Sequence, residues 1–133
     1  MMLKKFLEHL GLEQTTLSID GIHCVNIDES TDVYFSETTQ YIRFESIVTP
    51  IPSNDQDCRE LLAALLKRSA RMVRYRREGI YVDRLASRVV LQHIVVFNHA
   101  TVNTLLDELH HFLRGLEAWR SLANKYSKLA ANV

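Results

Sequence analysis

The chain has 133 residues, 47% of them hydrophobic, and its 16 lysines and arginines balance 16 aspartates and glutamates for a formal net charge of +0. That length suits one domain over residues 1–133, built on a single core that needs neither disulfide nor metal. Zero net charge excludes the overall positive field of a dedicated nucleic-acid binder, so any basic surface has to be local. Cys24 and Cys58 match neither a metal-ligand nor a redox-pair spacing and read as reduced thiols of a cytoplasm.

The N-terminal MMLKKFLEHLGLE breaks its apolar residues with Glu8 and His9, unlike the unbroken core of a signal peptide. No segment approaches the roughly 20 apolar residues a membrane helix needs, so a soluble, cytosolic protein without membrane insertion is expected. Leu3, Phe6, Leu7 and Leu10 recur at helical spacing before Gly11, predicting a first helix over about residues 2–10. Leu17 and Ile19 alternate with polar residues up to the turn signal Asp20-Gly21, and Val25 and Ile27 resume the alternation, which predicts a hairpin. DVYFSE and YIRFESIV follow as strands around Thr38-Thr39-Gln40, and Pro50 and Pro52 end the run.

Ser53, Asn54 and Asp55 are N-cap candidates for a second helix, acidic in its first turns and predicted to end near Gly79. IYVDR and RVVLQHIVVF form a strand pair around Leu85-Ala86-Ser87. The second of these is apolar on both faces, as befits the middle of a sheet or an interface. Asn98 to Thr101 can cap a last helix whose stripe runs from Val102 through Leu105, Leu109, Phe112 and Leu116 to Trp119, ending near Tyr126. The layout is α-βββ(β)-α-ββ-α, with three or four strands before the second helix.

The basic run KRSARMVRYRRE, residues 67–78, falls on the second helix. There Leu62, Leu65, Leu66, Ser69, Met72 and Val73 are expected to share one face, with Lys67, Arg68, Arg71 and Arg74 opposite as a solvated stripe favoured by the helix dipole. Only Tyr75 interleaves as a base-stacking candidate, which makes the nucleic-acid signal weak. Asp107, His110, His111 and Arg114 cluster on the last helix but lack the third fixed ligand and the glutamate base of a metal site, so no metal and no cofactor are expected. His93, in an apolar strand, reads as a hydrogen-bonded core or interface histidine, and His23 as an outward-facing strand residue. Asp28, Glu29, Asp32 and Glu37 announce no cleft, and nucleophile elbows, phosphate loops and dinucleotide fingerprints are absent. No catalytic residue is assigned and an enzyme is not expected.

The helix ending in HLGLE, the strands of LSIDGIHCVNIDESTDVYFSE, IRFESIVTPIPSND leading into a leucine-rich helix, and a strand pair running into NHATVNTLLDELHHFLRGLEAWRSLAN together resemble the class I type III secretion chaperones of the CesT/SycE type. The ID…VYF-x-E piece and the P-x-P loop are closest to the SigE-like members, and the resemblance spans about Leu3 to Tyr126. It implies an α+β fold, α-βββ-α-ββ-α, with a mostly antiparallel twisted sheet packed by helices, in a homodimer of the bacterial cytoplasm. It further implies binding of the N-terminal segment of one or more secreted effectors in extended form, keeping them soluble and delivering them to the secretion apparatus, with the secretion ATPase as a candidate further partner.

Many members are acidic, whereas this chain is neutral with a basic second helix. An extended client would add a strand at an open sheet edge and place apolar side chains in grooves. If Val33, Phe35, Ile42 and Phe44 face the core, Tyr34 and Tyr41 face away. With Ile47 and with Leu3 and Phe6 at the rim of the first helix, they are the expected effector contacts. The expected dimer interface is Leu62, Leu65, Leu66, Met72 and Val73 of the second helix with Leu91 and Ile94. A nucleic-acid-binding regulator using the basic second helix is the alternative.

Overall fold

The computed structural model describes residues 2–11, 17–72 and 78–131. In chain order the elements are α1 (Met2–His9), β1 (Leu17–Ile19), β2 (Ile22–Asp28), β3 (Thr31–Glu37), β4 (Tyr41–Pro50), α2 (Asp55–Met72), β5 (Glu78–Asp83), β6 (Arg88–Val96) and α3 (Val102–Ala131), with a short 3-10 turn at Phe97–His99. Four strands therefore precede α2, the upper end of the expected count. α2 is described as far as Met72, Gly79, near its expected end, lies in β5, and α3 runs past Tyr126.

Local chemistry sets the boundaries. Gly11, with φ +71°, ends α1, its N–H bonding the Glu8 carbonyl at 3.0 Å. Asp20 and Gly21, both at positive φ, make the two-residue turn between β1 and β2 that the Asp-Gly signal predicts. Of the three N-cap candidates of α2, Asn54 fills the role, its Oδ1 accepting the N–H groups of Gln56 and Asp57. Thr101 and Thr104 exchange side chain to backbone hydrogen bonds at the start of α3, a reciprocal cap.

All strand pairings are antiparallel, in the order β1-β2-β3-β4-β6-β5. The long β4–β6 ladder joins the N-terminal meander to the C-terminal hairpin, and a bulge between Ile47 and Thr49 bends β4 before Pro50. α1 and α3 pack on one face of this sheet. Phe44 of β4 is the hub, its ring centroid 5.2 Å from Phe35, 5.9 Å from Phe112 and 6.4 Å from Phe6. Leu105, Leu109, Phe112, Leu116, Trp119 and Ala123 of α3 are buried in this core, joined by Leu61 and Leu65 of α2.

Arg120 pins α3 to the sheet from its far side. Its Nε and Nη2 donate to the Ile47 carbonyl at 3.0 and 2.7 Å, and Nη1 donates to Thr31 Oγ1 at 2.8 Å. Burial lowers the pKa of this guanidinium, while Asp28 and Asp32 oppose the shift. Gly115, inside α3, leaves room for the buried Glu78 carboxylate of β5: a Cβ there would lie 3.1 Å from both of its oxygens. Truncating the hub should be costly. Phe44→Ala is expected to lower stability by about 3–5 kcal/mol, read as a shifted urea midpoint at an unchanged slope.

Candidate functional site

Alternation along the strands sorts the sheet into two unlike faces. Val25, Val33, Phe35, Ile42, Phe44, Val89, Leu91 and Val95 point to the helices and are buried. On the other face, Ile22, Cys24, Tyr34, Ser36, Arg43, Glu45, Ile47, Tyr81 and Val90 line an open groove of about 630 Å³. Its walls mix apolar side chains with a fixed polar ladder. Tyr81 Oη donates to Glu45 Oε2 at 2.7 Å, Arg43 Nε lies 3.1 Å from Glu45 Oε1, and the same Nε donates to Ser36 Oγ at 3.2 Å.

Burial, then the hydrogen bond and charge of Glu45, push the Tyr81 phenol up to about 12. The Cys24 thiol is likewise raised, first by burial and then by the charge of Asp32, and so stays protonated at neutral pH rather than serving as a nucleophile. Tyr34 beside it is raised above 10, mainly by burial. The groove therefore presents neutral hydroxyl and thiol groups, two ion pairs, Arg43–Glu45 and Arg88–Asp83, and aliphatic side chains. Such a surface suits binding of a chain with alternating side chains.

Tyr34 and Ile47 lie in this groove, and Tyr41 lies on the same face further along β4, opposite Val96. Leu3 and Phe6 do not join them. They are 1% and 0% exposed, held inside the core on the opposite side of the sheet, because α1 turns its whole apolar stripe inward against Phe35 and Phe44. Ile22 and Tyr81, each about two-fifths exposed, complete the groove. Sequence reasoning passed over both, although Ile22 follows the Asp-Gly turn in phase with Cys24, and Tyr81 alternates with Ile80 and Val82 in IYVDR.

The expected dimer interface also divides. Leu65 and Leu91 are both fully buried within one chain and are core residues. The run Leu61-Leu62-Ala63-Ala64-Leu65-Leu66 offers two helical faces, 61/65 and 62/66, and α3 covers the first. Leu62 stays half-buried, Leu66 is 67% exposed, and Ile94 is half-buried on the groove side of β6. The Met72 side chain, Val73, and Arg74 to Arg77 lie outside the described residues.

Two further expectations need correction. Arg68 is not on a solvated stripe but stacks over Trp119, its guanidinium carbon 5.0 Å from the ring centroid, because α2 lies alongside α3 at that point. His23 points to the helix side, opposite Phe35, rather than outward. His93 is buried and bonds Glu108 through Nε2, as a core histidine would. Asp107, His110 and His111 are exposed on α3, and no group of three His, Cys, Asp or Glu placed to hold a metal occurs among the described residues. No helix among them is long and apolar enough to cross a membrane.

The family described as Tir chaperone protein (CesT) matches residues 1–120. The chain belongs to that family. It is a type III secretion chaperone that binds effectors, which gives the open sheet face its context and leaves the nucleic-acid regulator without support. Solved structures share the fold. The ExsC–ExsE complex superposes with a TM-score of 0.71 at 20% identity, over 92% of this chain and 90% of that one. The HopA1–SchA chaperone–effector complex gives 0.67 at 20% identity, over 90% and 91%. The heterodimeric ExoU–SpcU complex of the Pseudomonas aeruginosa type III secretion system gives 0.64 at 18%, over 89% and 94%. No curated protein matches the chain in sequence at a significant level.

The ladder makes a pH prediction. Raising the Tyr81 pKa from 10 to about 12 favours the protonated folded form, so its contribution to stability is whole below pH 10 and is lost as pH climbs through 12. Phenolate absorbance should show a last step near 12 that Tyr81→Phe deletes and Glu45→Gln moves down. A Tyr81→Phe titration that still contains that step would contradict the assignment.

Proposed function

We propose that this chaperone works as a homodimer in the bacterial cytoplasm, holding the N-terminal segment of one or more effectors in extended, soluble form and passing it to the secretion apparatus, with the secretion ATPase as the receiving partner. The observation that carries the reading is the sheet face that none of the described helices covers, with its groove of about 630 Å³, open to a chain lying across the strands. Tyr34, Tyr41 and Ile47 contact the client there, together with Ile22 and Tyr81. Among the described residues edge strand β1 pairs only with β2, and its outer row of backbone groups is where an extended segment can add a strand. The chain's contribution is binding, with no bond made or broken, since the groove holds a protonated thiol and neutral phenols rather than an activated nucleophile.

The test is co-expression with effectors encoded alongside it, followed by affinity capture. Ile47→Glu, on a half-buried groove position, is expected to reduce recovery of the client about tenfold or more by placing a charge against its apolar side chains, with an unchanged circular dichroism spectrum. Full recovery would move the client off this face.

For the dimer, the proposal narrows to Leu62 and Leu66, since Ile94 lies on the groove side of β6, the face proposed for the client. Leu66→Asp should give a folded monomer by light scattering, whereas Leu65→Asp, in the core, should fail to fold. A dimeric Leu66→Asp protein would remove α2 from the interface.

A further inference from the structure

The basic stripe of α2 is not used by the client-binding face. Glu60, Ala63, Ala64, Lys67, Arg68 and Arg71 recur at helical spacing along one flank of α2, where with Leu122 and Tyr126 of α3 they border a groove of about 650 Å³. Leu66 lies on the other flank, so this groove is separate from the proposed dimer contact as well as from the sheet face. Three cations face it against one carboxylate, and Glu60 is engaged by Gln56 at 3.4 Å. Among the described residues Lys67, Arg68 and Arg71 form no ion pair.

Arg68 is set in place rather than waving in solvent. It stacks on Trp119, which is 1% exposed, and among the described residues its buried Nε has no hydrogen-bond partner. The stack holds the guanidinium at the groove wall, and a carboxylate is the group whose geometry matches its fork. The floor between the cations is apolar and small-residued, so the occupant brings side chains as well as charge.

We propose that the α2–α3 groove binds an acidic peptide segment of a partner protein, its carboxylates on Arg68, Arg71 and Lys67 and its small apolar side chains over Ala63 and Ala64. A nucleic acid fits less well. Among the described residues the groove is lined by one aromatic side chain, Tyr126, and by three cations offset by Glu60, a shorter track than a phosphate backbone needs.

The probe is a fluorescein-labelled synthetic peptide of alternating glutamate, alanine and leucine, titrated by anisotropy against the full chain. A glutamine-for-glutamate peptide and a labelled oligothymidine serve as comparisons. Trp119, the one tryptophan of the chain, reports the location through its emission. Saturable binding of the acidic peptide, with a change in Trp119 emission and weakening between about 50 and 300 mM salt, is expected. Arg68→Gln should lose about tenfold in affinity and the exposed Arg71→Gln several-fold, roughly the worth of one charged hydrogen bond each.

Equal binding of the glutamine peptide, tighter binding of the oligothymidine, or unchanged affinity in both arginine variants would overturn the proposal. The two sites fail separately: Ile47→Glu should leave the peptide titration intact, and Arg71→Gln should leave effector capture intact.

Discussion

Phe44 touches rings from four other elements, Phe35 on β3, His93 on β6, Phe6 on α1 and Phe112 on α3, and so sets where the first and last helices lie on the sheet. The edge-to-face contacts with Phe35 and Phe112 and the stacked contact with Phe6 add directional preference to area burial, so the helices dock in one orientation rather than sliding along an oily surface. Arg120 then ties α3 to the bulged part of β4 and to the β2–β3 end through the Ile47 carbonyl and Thr31. The bulge matters because it bends β4, and with it the whole open face.

Placing α1 and α3 on one side has a functional consequence. A sheet of six strands covered on one face leaves a second face that must be tolerable to water yet able to hold a guest. Here the compromise is visible: Arg43, Glu45, Ser36 and Tyr81 satisfy one another, while Ile22, Ile47 and Val90 stay apolar between them. Satisfied polar groups cost little to cover, because they need no new partner when a client displaces water. The apolar residues supply the gain. The α2–α3 groove is of a different kind, with cations that form no ion pair among the described residues, so the two surfaces call for chemically different partners.

Much of the fold was legible because it rests on local patterns. The Asp-Gly hairpin, the period-two strands on either side of Thr38 to Gln40, the asparagine cap of α2 and the long stripe of α3 are all short-range signals, and the element order follows from them. The alternation also put Tyr34, Tyr41 and Ile47 on the face away from Phe35 and Phe44. The candidate site was legible only in part: Leu3 and Phe6 share the amphipathic spacing of any short helix, which says that a face is apolar without saying what covers it. Leu65 and Leu91 misled for the same reason, since core and interface leucines carry the same periodicity.

Taken alone, then, the amino-acid order determined the secondary elements, their sequence along the chain, the polarity of each face and the likeness to secretion chaperones, because turns, caps and periodicity act over a few residues. Only the tertiary structure decided which face of LLAALL is buried, that Arg68 rests on Trp119, that Arg120 reaches the Ile47 carbonyl and that Tyr81 bonds Glu45. Each of those contacts joins residues dozens of positions apart, and their meeting depends on how the layers stack, a long-range outcome of packing that no local pattern encodes.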